Sequence, residues 1–234
     1  RYVSLMKSLS NKYNKSKVEV DAKLDEALDA LLSQQEIKSS TYKDLLFIKG
    51  QIRREEARSA CRFVGLKPEH VHFLDLPFYE TGAVKKGNLT EKDILIVMDL
   101  IRKVKPHQIF VAGDLADPHG THKVCLNAAL AAIDELKKEG IMDECRVWMY
   151  RGAWAEWEID HIEMAVPISP EQLLNKRKSI LRHQSQMESA PFMGNDERLF
   201  WQRAEDRNRA TASLYQHLGL ASYEAIEAFV EYKF

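Results

Sequence analysis

The strongest constraint on the fold is a short apolar run, residues 109–112, followed by a polar stretch and then by an alanine-rich pattern. Branched apolar residues in a run of this length are typical of a buried parallel strand. The alanine content and apolar spacing of residues 124–133 are typical of a helix that packs on a sheet. The polar stretch between them, residues 113–122, is therefore predicted to lie at the carboxyl end of a strand, where open α/β sheets bind ligands.

The polar stretch contains two histidines and two aspartates, together with a proline and two glycines that shape the backbone. Gly120 permits a tight turn, so that His119 and His122 are held on a defined loop. We expect the His122 ring to point from the first helical turn into the crevice as a metal ligand, and His119 to serve as an acid or an oxyanion partner. The alternative is an N-capped helix with surface histidines, in which Asp117 or Thr121 is the cap.

Composition and charge exclude several classes of protein. The 234 residues carry 34 basic and 35 acidic side chains, without a basic stripe that would bind nucleic acid. No apolar run reaches the roughly 20 residues of a membrane span, so no membrane partner is expected. The three cysteines, Cys61, Cys125 and Cys145, are scattered in apolar patterns and are predicted to be buried free thiols of a reducing compartment. We therefore expect a cytoplasmic protein.

Apolar periodicity elsewhere predicts helices that alternate with short strands. Helices are expected over 2–13, 21–32, 41–64, 90–105, 169–183 and 199–218, in addition to the one that follows the polar stretch. Strands are expected over 71–74, 146–150, 158–166 and 224–232, in addition to 109–112. This alternation predicts an α/β fold, a three-layer Rossmann-like arrangement whose mostly parallel sheet has helices on both faces. Since no linker or repeat interrupts the pattern, residues 1–234 are expected to form one domain.

Two tryptophans follow the strand predicted over 146–150. An indole face can stack on a sugar ring, which makes Trp154 a candidate substrate contact. The alternative is that Trp154 and Trp157 belong to the core, as aromatic residues beside a strand commonly do.

Three motifs resemble, in order along the chain, those of the LmbE/PIG-L family of zinc-dependent N-deacetylases. The sequence Arg-Arg-Glu-Glu-Ala at 53–57 resembles the Arg-x-x-Glu helix of the family, and Asp-Pro-His-Gly-Thr-His at 117–122 resembles its His-x-x-His element. Arg-His-Gln-Ser-Gln at 182–186 resembles its late His-x-Ser/Thr-Gln element. Residues 114–122 and 201–208 are similar to one branch of the family, the LmbE-like domain associated with glucosamine-6-phosphate deaminase-like proteins.

The resemblance implies a site for one zinc ion, which two histidines and an aspartate hold in this family while leaving room for water and an acetamide oxygen. It assigns His122 as a metal ligand, and His119 and Asp117 as catalytic residues. Arg53 is expected to contact the sugar or its phosphate, for which a guanidinium fork is suited. The alternative for Arg53 is an ion pair on its own helix with one of the two glutamates that follow it. His183 is expected to lie beside the site or in the core rather than to bind the metal.

One family motif is missing from the sequence. In the family, a His-Pro-Asp-Asp segment after the first strand supplies a histidine ligand, an aspartate ligand and the general base, and no such segment occurs here. His70, His72 and His107 have no neighbouring Asp-Asp pair. Since the chain begins at Arg1 inside a helical pattern, we expect that an N-terminal portion with the first strand and this motif precedes it.

The resemblance therefore implies a metal-dependent hydrolase that removes an N-acyl group, acetyl, from a small N-acetylglucosamine-type substrate. The alternative is a non-catalytic domain that binds an amino-sugar phosphate or serves as an accessory part of a glucosamine-6-phosphate deaminase-like protein. A fused deaminase domain or a second copy of the chain is the expected protein partner, and this expectation rests on association alone.

Overall fold

The computed structural model describes residues 2–32, 39–79, 87–113, 120–152, 155–187 and 198–233. Its α-helices are α1 Tyr2–Tyr13, α2 Lys17–Leu32, α3 Ser39–Phe63, α4 Glu91–Val104, α5 Thr121–Lys138, α6 Pro170–Ile180 and α7 Phe200–His217. Its strands are β1 Gln108–Ala112, β2 Arg146–Tyr150, β3 Met164–Ile168 and β4 Ala225–Glu231. Short 3₁₀ helices cover Pro68–His70, Pro77–Tyr79, Ile159–His161 and Gln184–Gln186. The predicted helices are confirmed, with ends shifted by a few residues.

The described residues form two compact units. Unit 1 contains the residues up to Phe73 together with 179–187, and unit 2 contains 74–178 together with 198–233. None of the helices in these ranges combines the length and the hydrophobicity that crossing a lipid bilayer requires.

Unit 1 is built on α3, the longest helix in the described residues. α1 and α2 pack against α3 and against each other. Their contact buries Met6, Leu9 and Val20, and Phe47 and Ile48 of α3 pack against these residues. Each fully buried apolar side chain of this size contributes about 1.5–3 kcal/mol, so this cluster holds the three helices together.

The strand predicted over 71–74 is wrong. Pro68–His70 form a 3₁₀ helix, and the chain then continues to Leu76 without regular structure. A strand needs a hydrogen-bonded neighbour, and within the described ranges no strand pairs with this segment. The Phe73 ring instead packs under the guanidinium groups of two arginines of α3.

The sheet of unit 2 has four strands in the described residues, in the order β1-β2-β4-β3, and it is mixed. β1 and β2 are parallel, with Ile109 opposite Val147, whereas β4 is antiparallel to both β2 and β3. A mostly parallel sheet is therefore not confirmed. The reason is that α6 and α7 both lie between β3 and β4 in the chain. A connection through an even number of helices can return the chain to the edge at which the previous strand ended, and the next strand then runs antiparallel.

Helices cover both faces of this sheet. Successive side chains along a strand point to opposite faces, so the contacts of each side chain show which helix lies on its face. On one face, Val147 of β2 packs with Ile133 and Leu136 of α5. Glu227 of β4 points to the other face, where it binds Lys176 of α6 and where α7 packs along β4. The α/β class with helices on both faces is therefore observed within unit 2.

The three cysteines are free thiols. Cys145 is buried and Cys61 is half-buried, whereas Cys125 is exposed. The prediction of buried thiols is wrong for Cys125, because α5 turns the neighbouring Leu126 toward the core instead.

A capping box fixes the N-terminus of α4 close to the residue at which the pattern predicts the helix to begin. The Asp93 carboxylate accepts hydrogen bonds from the Thr90 backbone NH at 2.8 Å, the Thr90 hydroxyl at 2.6 Å and the Phe78 backbone NH at 3.0 Å. Burial raises the pKa of the Asp93 carboxyl, but the hydrogen bonds outweigh burial and hold the pKa below its ordinary value. Asp93 therefore ties the start of α4 to the segment before it as an ionised group.

Candidate functional site

The carboxyl ends of β1 and β2 lie side by side, because the two strands are parallel and paired. At this edge the backbone NH of Gly113 donates a hydrogen bond to the carbonyl of Tyr150 at 2.7 Å. α5 starts directly after Gly120, its N-cap residue, which has a φ of +67°. The predicted position of the polar stretch, between a strand and a helix, is thus confirmed. Within that stretch, Asp117 and His119 lie outside the described residues.

His122 lies in the first turn of α5, and its side chain is exposed. Gly120 is the N-cap, in a left-handed conformation that suits glycine, so Thr121 does not cap the helix. The exposed His122 agrees with the other part of that alternative, a histidine on the surface. Among the described residues, no three His, Cys, Asp or Glu side chains are grouped so that they could hold a metal ion. The zinc site, with His122 as a ligand, stays a prediction.

The Trp157 ring packs against Gly113, the residue that follows β1. Its indole Nε1 donates a hydrogen bond to the Met149 carbonyl at 3.1 Å. A Cβ atom built on Gly113 would lie 2.9 Å from Cζ2 of the indole and 2.9 Å from the Met149 Cβ, which is closer than real Cβ contacts. The Arg151 guanidinium lies over the same indole, 4.9 Å from the ring centroid. Trp157 is thus a packing residue, whereas the predicted sugar contact Trp154 lies outside the described residues.

Arg207 of α7 is a residue at this edge that reasoning from the sequence missed, and its side chain is only 9% exposed. It donates hydrogen bonds to the carbonyls of Arg151 and Gly152, the latter at 3.0 Å. Its guanidinium also binds the Glu227 carboxylate, and its Nε lies 3.5 Å from Oε2 of Glu156. The signal available in the sequence was that Arg207 belongs to the stretch of α7 that resembles one branch of the family.

The two carboxylates around Arg207 are shifted in opposite directions. Burial raises the pKa of Glu156, and the attraction of Arg207 offsets this only in part. Burial also acts on Glu227, but Lys176 and Arg207 outweigh it and hold the pKa of this carboxyl below its ordinary value. Lys176 donates a further hydrogen bond to Oδ1 of Asn208 at 2.7 Å. Two cations and two carboxylates are therefore combined in one largely buried cluster.

In unit 1, residues from two of the three motifs that resemble the family are joined by hydrogen bonds. The Glu56 carboxylate accepts hydrogen bonds from the Ser185 backbone NH at 2.8 Å and from its hydroxyl at 2.7 Å, while Glu55 pairs with Arg58. Both glutamates that follow Arg53 thus have other partners, while the substrate contact of Arg53 and its alternative, an ion pair on its own helix, both stay predictions. Within the described ranges, the Nε of Arg53 is buried without a hydrogen-bond partner.

His183 precedes the 3₁₀ helix Gln184–Gln186 in unit 1 and is half-buried. The guanidinium of the preceding residue, Arg182, lies 4.1 Å from the ring centroid of Phe63. The expected place of His183 beside the site or in the core stays a prediction.

Comparison with known protein sequences points to one family. The family model described as PIG-L, GlcNAc-PI de-N-acetylase, matches residues 30–133. A glucosamine-6-phosphate deaminase-like protein of Bacteroides thetaiotaomicron is 68% identical over 192 residues, which are 81% of this chain and 29% of that protein. The chain thus spans about three tenths of the length of this curated relative.

Solved structures share the fold at low sequence identity. The conserved protein TT1542 of Thermus thermophilus has a TM-score of 0.50 and 18% identity, over 77% of this chain and 72% of that one. GalB, the 4-carboxy-2-hydroxymuconate hydratase of Pseudomonas putida, has a TM-score of 0.54 and 16% identity, over 78% and 72%. A deacetylase of teicoplanin biosynthesis has a TM-score of 0.50 and 16% identity, over 77% and 72%. Residues 30–133 of the chain thus match the PIG-L, or LmbE-like, family, and the fold is shared with these solved structures.

Proposed function

We propose that this domain hydrolyses the N-acetyl group of an amino sugar of the N-acetylglucosamine type. The observation that carries the proposal is the family match over residues 30–133, which includes Arg53 and the polar stretch between β1 and α5. The carboxyl edge of an open α/β sheet is the usual position for a ligand, which supports a site where β1 and β2 end. Water would add to the acetamide carbon, the C–N bond would break and the amine would take a proton, giving acetate and the free amino sugar.

The proposal includes one zinc ion with His122 among its ligands. Bound zinc supplies a Lewis acid for an amide carbonyl and an acidified water. Since the described residues include no cluster of three donors, the proposal places the other ligands outside them.

His119 and Asp117 are the proposed catalytic residues. An imidazole can donate a hydrogen bond to the oxyanion that forms on the acetamide carbon, or a proton to the leaving amine. Both residues lie on the stretch between β1 and α5, two residues apart, so one loop would carry both.

Arg53 and Trp154 are the proposed substrate contacts. The buried Nε of Arg53, which has no hydrogen-bond partner in the described residues, supports a binding role, because a guanidinium fork suits a hydroxyl or a phosphate. Trp154 would stack on the sugar ring.

A second candidate function is a non-catalytic domain that binds an amino-sugar phosphate or serves as an accessory part of a larger protein. It is favoured by the Bacteroides relative, which is much longer than this chain and whose name refers to a glucosamine-6-phosphate deaminase. A fused deaminase domain or a second copy of the chain is the proposed partner. We also propose a cytoplasmic location, which the three free thiols support and which cell fractionation would test.

The test uses the full-length protein, loaded with zinc, and two probes, N-acetylglucosamine and N-acetylglucosamine 6-phosphate. If the domain is a hydrolase, the wild type should release acetate. His122→Ala should lose bound zinc and, with it, acetate release. His161→Ala is the matched control, because His161 is also an exposed histidine of unit 2, and it should keep both zinc and activity.

The outcomes separate the two candidate functions. Binding of the phosphorylated probe without acetate release by the zinc-loaded protein supports the non-catalytic domain and contradicts the hydrolase. Zinc content in His122→Ala equal to that of the wild type contradicts the assignment of His122 as a ligand.

A further inference from the structure

One arginine holds both ends of the loop that follows β2. This loop, residues 151–157, is described at 151–152 and 155–157. At its start, Arg207 donates hydrogen bonds to two successive backbone carbonyls. At its end, the Nε of Arg207 faces the Glu156 carboxylate at 3.5 Å and has no hydrogen-bond partner among the described residues. Movement of either end of the loop would therefore break a contact with the same guanidinium.

Residues of β4 and α6 hold the Arg207 guanidinium in place. Glu227 of β4 binds Arg207 through one carboxylate oxygen and Lys176 of α6 through the other. Asn208, the next residue of α7, accepts from Lys176 and donates to the Ile226 carbonyl at 2.9 Å. A planar guanidinium presents five N–H donors in a rigid fork and can serve several acceptors at once, whereas a lysine ammonium is a point charge on a flexible stem.

The other end of the loop reaches β1. Trp157 lies against Gly113, the residue at which the polar stretch begins, and is anchored to the Met149 carbonyl. The described residues of the loop thus contact both α7 and the end of β1.

We propose that Arg207 is a positioning residue that holds residues 151–152 and 156–157 after β2 and thereby shapes the proposed substrate site at the carboxyl ends of β1 and β2. This inference rests on the proposed function, because it assumes that this site binds an acetylated amino sugar. Arg207 contacts backbone carbonyls and carboxylates of the protein, so its effect falls on substrate binding and not on the transfer of protons.

The test compares Arg207→Lys with Arg209→Lys in the full-length, zinc-loaded protein. Arg209 lies on the same helix and pairs with Glu224 at the surface, so it is the matched control. For acetate release from N-acetylglucosamine, we expect the KM of Arg207→Lys to rise about tenfold with kcat within about threefold of the wild type, since mispositioning weakens binding. Hydrogen exchange of the amides in 151–157 should become faster in this variant, while Arg209→Lys leaves KM, kcat and exchange unchanged.

Two results would overturn the inference: loop exchange in Arg207→Lys that matches the wild type, or a fall in kcat at unchanged KM. A wild-type protein that releases no acetate would contradict the proposed function instead, and the exchange measurement would still decide whether Arg207 restrains the loop. If a melting curve shows that Arg207→Lys does not fold, Glu156→Gln removes the charge at the other end of the contact. That variant should also raise KM and loop exchange, and wild-type values for both would contradict the proposal.

Discussion

The carboxylate of Glu56 accepts two hydrogen bonds from Ser185, one from its backbone NH at 2.8 Å and one from its hydroxyl at 2.7 Å, across 129 residues of sequence. Ser185→Ala removes the hydroxyl bond and keeps the NH bond, so we expect the free energy of unfolding to fall by about 0.5–1.5 kcal/mol. Glu56→Ala removes both acceptors and should cost more, about 1–3 kcal/mol. Urea unfolding measures both losses. Ser213→Ala, at an exposed serine of α7, is the control and should change stability little.

Replacing glycine with alanine is expected to change the free energy of unfolding in opposite directions at Gly113 and Gly50. Gly113→Ala would place a Cβ atom 2.9 Å from the Trp157 ring and from Met149, so we expect a loss of about 1–3 kcal/mol and a shift in tryptophan fluorescence. Gly50 lies inside α3 with open space around it, so Gly50→Ala should stabilise the protein by about 0.5–1 kcal/mol. Urea unfolding followed by fluorescence tests both. A neutral Gly113→Ala would mean that Trp157 does not pack there in solution.

Asp93 predicts a loss of stability in acid. Its pKa in the folded protein lies below the ordinary value of 3.8, so the ionised carboxylate stabilises the fold above pH 3.8. This contribution is lost as the pH falls through the folded-state pKa. Asp93→Asn should therefore lower stability at neutral pH, by about 1–3 kcal/mol for a buried hydrogen-bonded acceptor, and the deficit should shrink in acid. Asp99→Asn, whose side chain is 78% exposed, is the control in unfolding curves at several pH values.

Glu156 and Glu227 predict pH dependences of opposite sign. The pKa of Glu156 is raised, so its contribution to stability is present below its ordinary pKa of 4.5 and is lost as the pH rises through the folded-state pKa. The pKa of Glu227 is lowered, so its contribution is present above 4.5 and is lost as the pH falls through the folded-state pKa. The difference in unfolding free energy between the wild type and Glu156→Gln should decrease with pH, and that for Glu227→Gln should increase. Equal slopes for the two variants would contradict this assignment of charges.

The elements that local patterns determine were predictable from the sequence. The helix Tyr2–Tyr13 and the strand Arg146–Tyr150 follow from apolar spacing within a few turns or residues, and both begin and end where the pattern predicts. The direction of β4 was not predictable in this way, because it depends on how two helices return the chain to the sheet and not on any short pattern. The predicted strand at 71–74 failed for a related reason, since apolar alternation does not supply a partner strand.

The position of the polar stretch between β1 and α5 was predictable from the sequence, whereas the side-chain contacts at this edge were not. Alternation of an apolar run, a polar stretch and a helix places His122 correctly at the start of α5. The contacts of Arg207 join residues from three separate elements, and no periodicity within α7 indicates them. The close approach of Trp157 to Gly113 likewise depends on the three-dimensional path of the loop after β2.

The position of β4 in the sheet has a consequence for synthesis on the ribosome. Within the described residues β3 hydrogen-bonds to β4 alone, and β4 follows β1, β2 and β3 in the chain. Until residues 225–231 leave the exit tunnel, β1 and β2 can therefore pair with each other, whereas β3 has no hydrogen-bonded neighbour among the described strands. A stop codon shortly before Ala225 would separate β3 from β1 and β2, and the truncated product would expose unpaired backbone of β3, at which aggregation can begin.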